Sequence, residues 1–303
     1  MKADRKLLDE VLNGLMARYI KRVPDVQKLI NAMIKEQVIE DAYDIENDHI
    51  AFRTIAVPFL GIQSLEKIFL HLGYIKKDHY HFAQKKLDAY WYAPPEPQYP
   101  RIFISELRVQ DLSLQAQKII TDYTNSVKAD PVDKLNLNDA VAVDYFLHSA
   151  LWRRPALPDY LDLSAESEYA AWVIYNRYYL NHFTVSVHNL KEGYNTIPEF
   201  NDFLERNDFV LNDAGGKYKE SPDGLLLQSS TVAGMLDAEF ADGKFKSIAG
   251  SYVEFAERKV LPQFVELSIN EIKRLHRREG FEANNADKIF ESTYAAQTGK
   301  INL

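Results

Sequence analysis

The sequence predicts an α+β protein in which two βαβββ modules form one cupped sheet, with N-terminal and inserted helices packed outside it. Three observations carry this reading. An extended segment bearing a histidine occurs twice, as Asp48-His49 in DHIAFRTIAVP and as Asn181-His182 in NHFTVSVHNL. Each is followed by a helical stretch and then by strand-like runs separated by polar, glycine or proline turns. Each module closes on a strand with a glutamate, Glu106 in RIFISELRV and Glu254 in SYVEFAER. Identity between the halves is weak, so the repeat lies in the pattern of elements. Two such units form a bent sheet whose concave face can hold a ligand.

The elements follow in order. Residues 1–43 read as a helical pair, because Leu7, Leu8, Val11, Leu12 and Leu15, then Val26, Leu29, Ile30, Met33 and Ile34, recur at three-four spacing. Pro24 separates the two helices. Residues 44–110 form the first module: the first extended run, a helix IQSLEKIFLHLGY with Ser64 as its N-cap, and the strands YIKKDHYHFA, KLDAYWYAP and RIFISELRV. Residues 111–178 are a helical insertion. Residues 179–275 repeat the module, with Thr196 and Glu199 as a capping box and hairpin turns at Gly215-Gly216 and Pro222-Asp223-Gly224. Residues 276–303 are expected to be a tail or an intermolecular contact, helical at best. All five segments make up one catalytic domain.

Composition removes several classes of function. The 303 residues are 46% hydrophobic and 26% charged, an ordinary globular balance. The net charge of −8 and isoelectric point near 5.6 supply no overall positive field for nucleic acid or an anionic membrane. Cysteine is absent, which leaves histidine and carboxylate as metal ligands. No run approaches the ~18 apolar residues of a membrane span, and the N-terminus has no apolar leader, so a cytoplasmic protein is expected.

Residues two or four apart on a strand share a face. His49 and Arg53 are such a pair, and so are Glu254 and Arg258. Each puts a metal-type ligand and a guanidinium on one side of its strand, ~13 Å apart along the backbone. His182 adds a third ligand, followed on its face by Thr184 and Ser186. Two histidines and a carboxylate from separate strands fit the facial triad of non-haem Fe(II) enzymes. Gln228, Ser229 and Ser230 are placed to line the cup. His79 and His81 sit on a lysine-rich edge and read as solvated, Arg153 and Arg154 as a loop ion pair, and His71, His148, His188 and His276 as structural.

The H-x-x-x-R of DHIAFRT, the NHFT segment and YVEFAER, in this order and with a helical insertion between the halves, resemble the 2-oxoadipate dioxygenase/decarboxylase family over about residues 8–280. The resemblance implies a vicinal-oxygen-chelate-like fold and one Fe(II) bound by His49, His182 and Glu254. It implies conversion of 2-oxoadipate and dioxygen to 2-hydroxyglutarate and carbon dioxide, as in lysine degradation. Its partners are then a 2-oxo dicarboxylic acid and O2, with neither nucleic acid nor membrane. Arg53 is the implied substrate arginine; Arg258, Gln228 and Ser230 are expected as further substrate contacts from their strand faces, not from the resemblance. Two other functions stay open: a glyoxalase-type isomerase or lyase that recruits Glu106 as a fourth metal ligand, and a non-catalytic module that grips its ligand through arginines.

Overall fold

The computed structural model describes residues 4–302. It opens with α1 (Arg5–Arg22) and α2 (Pro24–Lys35). The Asp4 carboxylate caps α1 by accepting from Leu7 N at 3.2 Å. Pro24 begins α2, where a missing N–H leaves no helical bond unmade. The stripe Leu7, Leu8, Val11, Leu15 and Tyr19 is buried, each leucine contributing about 2 kcal/mol of apolar burial.

The first module is β1 (Asn47–Ile55), α3 (Ile62–His71), β2 (Ile75–Phe82), β3 (Leu87–Ala93) and β4 (Arg101–Leu107). The insertion supplies α4 (Leu114–Thr124), α5 (Ala140–Leu147), α6 (Leu157–Glu166) and α7 (Glu168–Asn176). The second module is β5 (His182–Ser186), α8 (Ile197–Arg206), β6 (Lys219–Glu220), β7 (Leu226–Ser230), a hairpin of β8 (Met235–Glu239) and β9 (Phe245–Ala249), and β10 (Tyr252–Arg258). Two short helices follow, α9 (Ala283–Ile289) and α10 (Ala295–Thr298).

Eight strands form one curled sheet in the order β2-β3-β4-β1-β5-β10-β7-β6, and β8-β9 stand apart as a two-stranded ribbon. The halves join through the antiparallel β1–β5 pair. On either side of that seam lies a parallel pair, β1 with β4 and β5 with β10. Strand alternation sorts the faces. Phe52 of β1 packs on Phe69 of α3, ring centroids 5.4 Å apart, and Phe255 of β10 packs on Phe200 of α8 at 5.1 Å. The helices α3 and α8 therefore cover the convex face, which leaves His49, Arg53 and Glu254 on the concave one.

Three expectations change. Helix α3 starts at Ile62 rather than on a Ser64 cap, because Glu106 reaches from β4 to accept from Ile62 N at 2.8 Å. Ser64 instead donates to Asp130. Gly61 makes this possible: its φ is +85°, and a Cβ there would lie 2.6 Å from Glu106 Oε2. The Gly215-Gly216 segment is a loop without a hairpin, whereas Pro222–Gly224 does turn β6 into β7. Finally, the residues after 276 are no tail. Phe281, Ile289 and Phe290 are buried across the concave face, where they pack on Phe103 and cover apolar surface that water would otherwise reach.

Candidate metal centre

One transverse row across the sheet builds the site. His49 of β1 pairs with Thr184 of β5, Thr184 pairs with Glu254 of β10, and Glu254 pairs with Ser230 of β7. His182 lies two residues from Thr184 on the same face. The short Thr184 side chain lets His49 and Glu254 converge over it, with its hydroxyl 3.1 Å from His49 Nε2. His49 Nε2 stands 3.4 Å from Glu254 Oε1, and His182 Nε2 stands 3.0 Å from Glu254 Oε2. One ligand atom from each residue falls within 4.8 Å of the others, so this buried group can hold a metal ion.

The residue before each histidine orients its ring. Asp48 Oδ2 accepts from His49 Nδ1 at 2.9 Å, and Asn181 Oδ1 accepts from His182 Nδ1 at 3.1 Å. With the proton held at Nδ1, each Nε2 presents its lone pair to the centre. Glu254 is steadied by Gln228, whose Nε2 donates to Oε1 at 2.7 Å while its own Oε1 accepts from Asn285. The two imidazoles differ in charge preference. Burial pushes both down, but the Glu254 and Asp48 carboxylates outweigh burial at His49 and leave it raised. His182 has a neutral neighbour in Asn181, lies near Arg53, and is pushed down to about 3. Burial raises Glu254, and the two histidines and the Gln228 amide reverse this and hold it below the usual carboxylate range.

Thus His49, His182, Glu254 and Gln228 come together, while Ser230 bonds Ser292 of the covering segment, and Ser229 faces away from the cup, bonding Asn201 of α8. Arg53 is buried on the same strand as His49, two residues beyond Ala51, which pairs with His182. It donates to Thr293 Oγ1 at 2.8 Å and Phe290 O at 3.0 Å, and lies over Tyr169 and Trp172. Among the described residues no carboxylate pairs with it, and Nε has no partner. Arg258 departs from its expected place as a substrate contact. Its Nε and Nη2 grip Asp48 at 2.6 and 2.8 Å, and its Nη1 serves the Arg278 and Gly280 carbonyls, so four of its five N–H bonds are spent on structure.

Glu106 also departs from its expected place. In the parallel ladders His49 faces Arg101 and His182 faces Tyr252. Two residues further on stand Phe103 and Glu254, and five further on stand Glu106 and Glu257. Glu106 and Glu257 play one role: each accepts from the first N–H of a convex-face helix, Ile62 or Ile197, at 2.8 Å. The counterpart of Glu254 is Phe103. It lines the metal cavity with Phe281, Ile289 and Phe290, and the space left is about 20 Å³. Asp48, Asn181 and Phe103 had not been singled out; the matched Asp48-His49 and Asn181-His182 dipeptides were the available signal for the first two.

The sequence profile described as 2-oxoadipate dioxygenase/decarboxylase matches residues 11–267. A chloroplastic 2-oxoadipate dioxygenase/decarboxylase of Arabidopsis thaliana is 42% identical over 304 residues, covering 96% of this chain and 78% of that protein. The chain belongs to the 2-oxoadipate dioxygenase/decarboxylase family. The family's hydroxyglutarate synthase from Oryza sativa, crystallised with 2-oxoadipate, superposes with a TM-score of 0.87 at 41% identity, covering 99% of this chain and 97% of that one. A protein from Ralstonia eutropha, named for the glyoxalase superfamily, matches with a TM-score of 0.69 at 19% identity over 89% of this chain and 83% of that one, so the two share a fold. The expected cytoplasmic location is overturned. The Arabidopsis relative is chloroplastic, and a relative from Oryza sativa, 43% identical over 93% of this chain and 78% of its own length, is chloroplastic/amyloplastic. Net charge and the lack of an apolar run do not distinguish these compartments. Among the described residues no helix is long and apolar enough to cross a membrane.

Proposed function

We propose that this family member is an Fe(II) enzyme that converts 2-oxoadipate and dioxygen to 2-hydroxyglutarate and carbon dioxide, with His49, His182 and Glu254 as the iron ligands. The observation that carries the reading is a three-residue donor set in which a phenylalanine, Phe103, occupies the place of a fourth ligand. Three nitrogen and oxygen donors without sulfur suit Fe(II) and leave coordination positions for substrate and oxygen. A glyoxalase-type site with Glu106 as a fourth ligand finds no support, since that carboxylate serves the α3 N-terminus.

When bound, the iron supplies Lewis acidity toward a 2-oxo acid and the redox chemistry that activates dioxygen. The protein's own groups bind and orient. Asp48 and Asn181 keep the imidazole protons on Nδ1, and Gln228 holds the Glu254 carboxylate. Arg53, buried without a carboxylate partner, binds a carboxylate of the substrate. Tyr252 Oη, two residues before Glu254 on the same strand face, is also buried without a partner among the described residues. Phe103, Phe281 and Phe290 exclude water from the centre. Arg53 is held by Thr293 Oγ1 and Phe290 O of the covering segment, and a substrate carboxylate would take the place of those two acceptors.

The test is anaerobic purification with metal analysis, followed by oxygen uptake and labelled-dioxygen experiments on 2-oxoadipate. One label in the new hydroxyl and one in the new carboxylate is expected. Turnover without oxygen uptake would discard the reading.

A further inference from the structure

Behind Asp48, on the side away from the histidine pair, lies a second cavity of about 360 Å³. Its walls carry five cations, Arg101, Arg258, Lys273, Arg274 and Arg277, against two carboxylates, Glu46 and Asp48, in a chain whose net charge is −8. Arg101 and Arg258 have carboxylate partners: both grip Asp48, and Arg101 also pairs with Glu279. Lys273 and Arg277 have none among the described residues, and Arg274 has only a long one. Among the described residues the nearest carboxylate oxygen to any of them is Glu279 Oε2, 4.0 Å from Arg274 Nε.

Arg274 and Arg277 do hold backbone. Arg274 Nη1 donates to Pro97 O and Tyr99 O, both at 2.7 Å, and Arg277 Nη1 donates to Arg258 O at 2.7 Å. Carbonyl bonds account for their ordering, and carboxylates offset their charges only from a distance, Glu279 and Asp48 at Arg274 and Glu46 and Glu257 at Arg277. Arg274 Nη2 is buried with no partner at all. Burial, with the neighbouring Arg101 and Arg258 charges outweighing Glu279 and Asp48, pulls Arg274 down to about 10. His188, also on the wall, is driven to about 3 by burial and adds no charge. Its Nδ1 lies 3.2 Å from Arg258 N and 3.3 Å from Ala256 O.

We propose that this cavity is a binding site, separate from the metal centre, for a small multivalent oxyanion bearing carboxylate or phosphate oxygens, held by Lys273, Arg274 and Arg277. Converging guanidinium groups form bidentate, charge-assisted bonds with such oxygens, and the cavity volume fits a ligand of metabolite size.

The experiment is calorimetric titration of the metal-loaded full chain, under anaerobic conditions at low salt, with inorganic phosphate and separately with glutarate, which lacks the 2-oxo group. Saturable one-to-one binding near or below about 1 mM is expected for at least one of them, weakening as salt rises. The tighter of the two identifies the oxyanion class. Lys273→Gln and Arg277→Gln are each expected to weaken that binding about tenfold, and Arg53→Gln to leave it unchanged. Lys273 is exposed, so its variant tests the site without endangering the fold. Absence of saturable binding for both probes, full affinity in the Lys273→Gln/Arg277→Gln double variant, or loss in Arg53→Gln would overturn the proposal. None of these readings depends on turnover, so the site stands or falls apart from the dioxygenase reading.

Discussion

In the first βαβββ half His49 stands beside Asp48 and faces Arg101 across the parallel ladder; in the second His182 stands beside Asn181 and faces Tyr252. The scaffold is shared down to the carboxylate that caps each convex-face helix, Glu106 on Ile62 and Glu257 on Ile197. The concave face is where the halves part. One provides a histidine and Phe103, the other a histidine and Glu254. A duplicated fold thus yields an unsymmetrical site, because strand pairing repeats the backbone while each inward side chain varies freely. With Phe103 in place of a carboxylate, three residues rather than four would hold a bound metal, and an oxygen-using reaction needs such a free position.

The largest effect is expected from removing a ligand. His182→Ala should lower metal affinity and turnover by at least about a thousandfold, read by metal content after dialysis and by oxygen uptake. Retained iron and activity would exclude His182 from the centre. Phe103→Glu restores the missing symmetry directly. It should keep or tighten metal binding while cutting oxygen consumption more than about a hundredfold, since a fourth carboxylate occupies an open position. Unimpaired turnover in this variant would mean that the asymmetry at Phe103 has no catalytic meaning.

Arg53→Gln should raise KM for 2-oxoadipate about a hundredfold with iron content unchanged, because it removes a charge-assisted bond rather than a ligand. Asp48→Asn makes the support of His49 resemble that of His182. A loss of about ten- to a hundredfold in metal affinity is expected, with lower stability because Arg258 and Arg101 lose their shared carboxylate.

The smallest effect is a titration of the metal-free protein. His49 is raised above its free value and His182 lowered to about 3. A raised histidine contributes stability that is complete below about pH 6.5 and lost as pH climbs through its folded value. A lowered one has the opposite slope: the unfolded chain takes up a proton that the fold refuses, so stability falls from about pH 6.5 toward 3. Imidazole NMR signals should show one histidine titrating above about pH 6.5 and the other still neutral at pH 5. Asn181→Asp should raise the second toward the first; two coincident midpoints in the unaltered protein would contradict the assigned neighbours.

Much of this molecule was legible in its sequence. Period-two alternation around His49, His182 and Glu254 assigns them to strand faces, and the absence of cysteine narrows the ligand chemistry. The repeated order of elements predicts the curled sheet, and helical spacing places the apolar stripes of α1 and α2. These are local properties, determined within a few residues of chain. Which glutamate matches which was decided by register, because alternation names the face of Glu106 and Glu254 but not the residue each one opposes. Arg258 lies on the expected strand, and what its guanidinium binds is decided by Asp48, 210 residues away. The segment after residue 276 is short and weakly patterned by itself. Its α9 and the residues that follow find their place only when the concave face of the sheet exists to be covered, since burial there rewards Phe281, Ile289 and Phe290 in a way no local propensity records.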